Sequence, residues 1–499
     1  MACAHAHYIL TGKSRLTTYW ALPISRNIIQ SALMVETGRE DTMNVMPNAL
    51  TQTAWNAIGG DENTVDAVSF VGAGGLPSIY PVTDFSSAAI ATAALSIIEL
   101  LGRRSGQPPS ATVDLRLSSL WFGFSIRPIG WQLPAPWDPI AGDYQTRDGW
   151  IRLHTNAPHH RAAAERVLGA HADKDAMARA VSGWTKGDLE KAIIEAGGCA
   201  AEMRTSNEWT EHPQGLAVGA EPLAHIATPD VGPSPDWAVS PSRPLEGVRV
   251  LDLTRVLAGP VASRFLAAYG ANVLRIDPPG WDEAAVVPEV TLGKRCARLD
   301  LRRTEDRANF RALLSEADIF LHGYRPGALD RLGFDPVTRR ALSPGLIDVC
   351  LSAYGWSGPW AARRGFDSLV QMSTGIADAG MRWRNADRPV PLPVQALDHA
   401  TGYLMAAVAI RGVSQRLVQG NGTEARLSLA RTAKLLVESG VEHTTAALAP
   451  ETSADLSPTS EATDWGQALR VKPPITIDGA PMRWDCPARK LGSAEPCWQ

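Results

Sequence analysis

From Val248 to Pro260 the chain reads Val-Arg-Val-Leu-Asp-Leu-Thr-Arg-Val-Leu-Ala-Gly-Pro. Apolar residues at 248, 250, 251, 253 and 256 predict a buried parallel strand, which Ala258-Gly259-Pro260 then breaks. The pattern predicts a helix over 261–269 and a second strand over 272–276, ending at Asp277-Pro-Pro-Gly280. This is a βαβ unit with a tight turn at the carboxyl end of its first strand, where open α/β sheets bind ligands. Strands predicted at 319–321 and 346–352, and a helix at 304–317, continue the alternation. The expected fold class is therefore α/β, a doubly wound parallel sheet.

Upstream the period changes. Residues 143–154 alternate as a hairpin with Arg147-Asp148-Gly149 at its turn, and helices are expected over 161–168, 173–181 and 186–196. That is a small α+β module. The run 84–95 (DFSSAAIATAAL) has the texture of 398–409 (DHATGYLMAAVA). At the same offset of 314 residues Gly106 falls on Gly420, Val113 on Leu427 and Leu115 on Leu429. Both copies read as an Asp, a small-residue helix, a Gly turn and an extended segment, which favours internal duplication over two unrelated Ala-rich helices. Pro and Ser crowd 228–243 and again 450–463. The expected organisation is an N-terminal extension, disordered in part, over 1–60; a partial unit with helix and small domain over 61–227; a linker over 228–243; a ligand-binding large domain over 244–449; and a tail over 450–499. Met43 is an alternative start.

Composition narrows the function classes. A chain of 499 residues supports two or three full cores, and 45% hydrophobic with 20% charged residues is ordinary for a globular protein. A net charge of -4 and a pI near 6.3 argue against a nucleic-acid partner. No uninterrupted apolar run reaches membrane-spanning length, and 88–101 reads as a buried helix, so no membrane partner is expected. Six scattered cysteines without metal spacing, and the His159-His160 and His5/His7 pairs without cysteine partners, read as reduced thiols and structural histidines of a cytoplasmic protein with no bound metal.

Motifs in the second half then stand in a familiar order. They are Pro244-Leu-Glu-Gly-Val-Arg-Val-Leu-Asp-Leu-Thr-Arg-Val-Leu-Ala-Gly-Pro260, Gly270-Ala-Asn-Val-Leu-Arg-Ile-Asp-Pro-Pro-Gly280, Gly293-Lys-Arg295 with Leu299-Asp-Leu301, and Tyr324-Arg-Pro-Gly-Ala-Leu-Asp-Arg-Leu-Gly-Phe334. Tyr354-Gly-Trp-Ser-Gly-Pro359, Gly365-Phe-Asp367 and Asp398-His-Ala-Thr-Gly402 follow. Over 244–436 this series resembles the family III CoA-transferases, which include carnitine and formyl-CoA transferases and share their fold with α-methylacyl-CoA racemase. The module at 144–153 also looks like that family's small domain. The order differs: in the family the nucleotide-type fold comes first, whereas here a small-domain-like module precedes it. A truncated tandem fusion would explain this, with the N-terminal module covering the site of the C-terminal fold.

The resemblance implies coenzyme A or acyl-CoA as substrate, a carboxylate acceptor, no separate cofactor and an expected homodimer. The residue types suit such a ligand. Arg255, Arg275, Lys294, Arg325 and Arg331 are predicted at strand ends or in loops, where cations meet phosphate oxygens, although a surface role is open to each. By resemblance Val256, Ala258, Tyr324 and Arg331 fall where the family contacts CoA, while Ser352 stands near the position of a family lysine.

Two carboxylates compete for the chemistry. Asp387 lies at nearly the spacing of the transferase nucleophile, a carboxylate that attacks a thioester to give an anhydride and then an aspartyl-CoA thioester. Asp367 matches an acid/base position of the racemase branch, where Phe366 replaces the usual His. Against these stand a helix N-cap for Asp367 and a loop role for Asp387. The sequence thus leads to CoA transfer between carboxylic acids, with an acyl-CoA racemase or isomerase, or a non-catalytic CoA-binding relative, as alternatives.

Overall fold

The computed structural model describes residues 45–499 apart from 230, 238 and 443–445. Residues 1–44 lie outside the described residues, and with them most of the expected extension, Cys3, His5, His7 and Met43.

The first elements are helix α1 (Val45–Ala57), strand β1 (Val68–Val71), helix α2 (Val82–Ser105), strand β2 (Ala111–Asp114), helix α3 (Leu115–Phe122) and strand β3 (Ile126–Pro128). Helix α2 is long and apolar enough to cross a bilayer, contrary to the sequence reading, but 89% of its most apolar stretch is buried inside the fold. Its Ala-rich surface lies along the length of a second helix instead. The small module follows: β4 (Gly142–Gln145) and β5 (Trp150–Leu153) form the expected hairpin, with α4 (Pro158–Leu168), α5 (Lys174–Val181), α6 (Lys186–Glu195) and β6 (Ala200–Glu202) around it. It has its own core of Ile140, Tyr144, Ile151, Met177, Leu189 and Ile193. Helices α7 (Ser206–Glu211) and α8 (Pro213–Ala220) lead to β7 (Ala224–Ala227).

The second half supplies β8 (Arg249–Leu253), α9 (Ala258–Ala268), β9 (Asn272–Asp277), α10 (Val287–Val290), β10 (Lys294–Arg298), α11 (Thr304–Ser315), β11 (Ile319–His322), α12 (Pro336–Leu342) and β12 (Ile347–Ser352). It continues through α13 (Asp367–Ser373), α14 (Ile376–Arg384), α15 (Ala396–Gln419), β13 (Thr423–Ser428) and α16 (Leu429–Glu438). The main sheet runs β10-β9-β8-β11-β12-β13-β7, parallel throughout except for β7, which pairs antiparallel with β13. Its central strands are buried on both faces, as unbroken apolar runs require. The fold is thus the expected doubly wound α/β sheet with a small α+β module.

The tail is more regular than its Pro and Ser content suggests. Strands β14 (Glu461–Thr463) and β15 (Gly466–Arg470) join β3, and β16 (Ile475–Ile477) joins β2. Their sequence signal is weak because each is short, and β15 and β16 receive their pairing from the distant N-terminal half. Cys199, Cys296, Cys350, Cys486 and Cys497 are free thiols.

Candidate active site

A cavity of about 450 Å³ opens at the carboxyl ends of β8, β11 and β12. The turn after β8 forms one wall with Arg255–Ala258, and the loop after β11 adds Tyr324–Pro326. Arg363–Phe366, just before α13, form the facing wall, and Asp398 at the start of α15 closes one side. His159 and His160 reach in from α4 of the small module.

The β8 turn is held by a network that explains several of the predicted cations. Val256 has φ of +65°, a conformation that a β-branched residue adopts only when its surroundings impose it. Its N–H donates to Glu283 Oε2 at 2.8 Å, and Trp281 Nε1 donates to the same oxygen at 3.1 Å. Arg275, fully buried, pairs with that Glu283 and donates from Nε to Asp277 at 2.8 Å. Arg275 therefore lies behind the cavity and neutralises two buried carboxylates. Lys294 is likewise buried, donating to the Pro260 carbonyl at 2.8 Å and lying 3.3 Å from Asp252 Oδ2. Burial pulls its pKa down to about 8. It clamps the end of β8 to the start of α9. Gly259 completes the turn, because a Cβ there would meet the Thr254 side chain at 2.3 Å. The assignment of Arg275 and Lys294 to phosphate contact is thus corrected: both were read as loop or strand-end cations, and both point into the core.

Other predicted positions do reach the cavity. Val256 and Ala258 line it. The Arg255 guanidinium lies 4.9 Å from the Trp281 ring centroid and 5.1 Å from that of Tyr324, and donates to the Tyr324 hydroxyl at 2.6 Å. Arg325, an exposed residue, also lines the cavity, and partial desolvation followed by repulsion from Arg364 and Arg331 lowers its pKa. Arg331 itself is exposed outside the lining, so it acts on the site through its field alone. Ser352 is part of the lining, its hydroxyl bound to Gly355. Arg364 was not singled out from sequence. Burial, then Arg364 and Arg255, lower the His159 pKa, and burial pushes His160 down to about 3, so His160 is neutral at physiological pH.

The carboxylates fall differently from the sequence expectation. Asp387 is exposed in the loop that follows α14, and it does not line the cavity. Asn385, in the left-handed conformation, ends that helix and turns the chain outward. Its nearness to Asp398 along the sequence does not become nearness at the site. Asp367 is fully buried behind the wall. Phe366, not Asp367, is the N-cap residue of α13, and the Asp367 side chain instead serves α15. It accepts the N–H of Asp398 at 2.9 Å and the side-chain amide of Gln371, whose own oxygen accepts the Leu392 N–H at 2.7 Å.

Asp398 is the carboxylate in the cavity lining. Burial, and then the charge of Asp367, raise its pKa well above the carboxylate range. Asp367 is raised to about 6, burial outweighing its hydrogen bonds. Those bonds stabilise the Asp367 anion, so the proton of the pair resides on Asp398. The sequence signal for Asp398 was present: a charged residue opens a buried small-residue helix, and the same residue type recurs 314 positions earlier.

The small module closes over this region. His154 stacks on Phe366 with centroids 3.8 Å apart, Cys199 Sγ lies 3.5 Å from His160 Nε2, and Arg363 donates to Glu190 at 2.8 Å and to the Ala200 carbonyl at 2.9 Å. Ala201 and Met203 pack on Leu369 and Met372 of α13.

Residues 245–462 match the family model described as CoA-transferase family III. Over this segment the chain is similar to that family. An acetyl-coenzyme A transferase, nodX, of Hypoxylon pulicicidum is 34% identical over 200 residues, covering 39% of this chain and 34% of the relative. A probable fatty acyl-CoA transferase, Rv3272, of Mycobacterium tuberculosis is 31% identical over 36% of this chain and 48% of its own. A succinyl-CoA–D-citramalate CoA-transferase of Chloroflexus aurantiacus is 31% identical over 40% and 52% respectively. The chain spans between a third and about half of the length of these relatives. The cavity takes its β8 turn, its Tyr324 loop and Asp398 from that segment.

Proposed function

We propose that this protein transfers coenzyme A between carboxylic acids, with Asp398 as the group that receives the acyl unit. The observation that supports this reading is one carboxylate, Asp398, in a cavity lined by Arg255, Arg325, Arg364 and His159. The arginines favour a ligand carrying several phosphate charges, and their field raises its local concentration.

The chemistry follows from the position of Asp398. Its carboxylate attacks the thioester carbonyl, the C–S bond breaks, and the CoA thiolate leaves behind a mixed anhydride. The thiolate then attacks the aspartyl carbonyl, releasing the donor acid and forming an aspartyl-CoA thioester. An acceptor carboxylate repeats these two steps in reverse order, and Asp398 is regenerated. No group beyond the thioester and the two acids is consumed. The reaction requires Asp398 ionised, whereas the free site holds it protonated. The proton must therefore be lost before attack. Asp367 fixes the backbone of Asp398 and takes no part in bond making.

In this reading the N-terminal module supplies the lid of the C-terminal site through His159, His160 and the stack of His154 on Phe366. The chain is then a permuted equivalent of one family unit. Incubation with acetyl-CoA followed by hydroxylamine tests the function: an aspartyl hydroxamate is expected, and its absence at every pH from 6 to 9 contradicts the transferase reading.

A further inference from the structure

The sequence repeat has an unusually complete structural counterpart. Helices α2 and α15 each span 24 residues, and each ends at a left-handed glycine, Gly106 and Gly420. Their first turns also coincide: the N–H of Val82 donates to Tyr80 O and that of Ala396 to Val394 O, both at 2.8 Å. Strands β2 and β13 follow at the same offset, and helices α3 and α16 start from side-chain caps at the equivalent residues Asp114 and Ser428.

The edge strands are exchanged between the halves. Strand β7, which ends the N-terminal half, pairs antiparallel with β13, setting Ala224 opposite Leu427 and Ile226 opposite Ala425. Strand β16, from the C-terminal tail, pairs antiparallel with β2, setting Ile475 opposite Val113 and Ile477 opposite Ala111. Val113 and Ala111 are the repeat equivalents of Leu427 and Ala425, so the two pairings have one register. Each half thus receives its last strand from the other.

At the start of these twin helices stand Asp84 and Asp398, each in the first turn. Their surroundings have diverged. Residues 353–395 join β12 to α15 and carry Arg363–Phe366, Asp367 and Gln371. In the other half, residues 72–81 alone join β1 to α2, so among the described residues there is no counterpart of that wall or of the Asp367 clamp. Among the described residues the sheet around β2 has three strands and no counterpart of the βαβ turn that shapes the cavity. Gly402 makes the same point: a Cβ there would come within 2.3 Å of the Ala258 carbonyl. Its twin, Ala88, carries that Cβ.

We infer that Asp84 is the silent twin of Asp398, so that the chain holds two copies of one framework and a single working carboxylate. The inference rests on the role proposed for Asp398 only for its chemical readout. The parent protein and Asp84→Asn are incubated with acetyl-CoA, quenched with hydroxylamine and mapped by peptide mass spectrometry. The expected result is a hydroxamate confined to Asp398 in both, with equal turnover. A hydroxamate on Asp84, or lost turnover in Asp84→Asn, overturns the inference. If neither protein forms an adduct, it is the transferase reading that fails. Calorimetric titration with CoA then decides the copy number: one equivalent per chain in both proteins supports a single site, and two equivalents in the parent, or a loss on Asp84→Asn, overturns it.

Discussion

The backbone N–H of Asp398 donates to the carboxylate of Asp367 at 2.9 Å, and that carboxylate is closed to solvent. One buried acid therefore sets both the position and the protonation of the other. Asp367→Ala leaves the Asp398 N–H unpaired in the core and should cost about 1–3 kcal/mol, read as a lower midpoint in chemical denaturation. Stability also carries a pH signature. The folded pKa of Asp367 is raised from 3.8 to about 6, so its contribution is greatest below pH 4 and is lost as pH rises through 6. Asp367→Asn should flatten the fall of the stability–pH curve between pH 4 and 6.

The charge of Asp367 also raises the pKa of Asp398. Formation of the Asp398 adduct should accelerate as pH rises, because only the ionised carboxylate attacks. In Asp367→Asn the rise should begin at lower pH. Single-turnover rates across pH 6–9 check this, and a pH-independent rate in the parent would remove Asp398 from the attacking role.

The arginines separate into two kinds. Arg275→Ala strips the partner from buried Asp277 and Glu283 and should destabilise the fold by about 3–5 kcal/mol. Arg325→Ala removes an exposed cation from the cavity rim and should leave the melting temperature unchanged while weakening CoA binding, more so at low salt. Thermal shift and calorimetry on the two variants distinguish the roles.

Val256 should tolerate glycine and reject proline. Glycine accepts the left-handed backbone without strain, so Val256→Gly should change stability by no more than about 1 kcal/mol. Proline cannot reach φ of +65° and removes the N–H that Glu283 accepts, so Val256→Pro should cost about 3 kcal/mol or more and abolish CoA binding. Denaturation curves with a CoA titration test both.

The parts of this molecule legible in its sequence are those set by local pattern. The β8–α9–β9 unit and the hairpin at β4–β5 follow from apolar periodicity and turn residues, and both form as expected. The repeat was legible at Asp84 and Asp398, Gly106 and Gly420 because glycine caps and small helical residues leave strong local marks. Strands β15 and β16 were not, because their partners β3 and β2 lie more than 300 residues away, and β14 forms only against β15. The site failed at its charges. Arg275 and Lys294 look like phosphate ligands by type, and only the fold shows that Asp277, Glu283 and Asp252 already occupy them. Asp387 was favoured by spacing along a loop, a measure that the turn at Asn385 makes meaningless in space.

The identity of the carboxylate that carries acyl transfer is the central claim, and peptide mapping of the hydroxylamine-trapped adduct in the parent, Asp398→Asn and Asp387→Asn tests it most directly. The adduct should sit on Asp398, persist in Asp387→Asn, and disappear in Asp398→Asn with turnover reduced by roughly a thousandfold or more. An adduct on Asp387, or one that survives Asp398→Asn, would contradict the account.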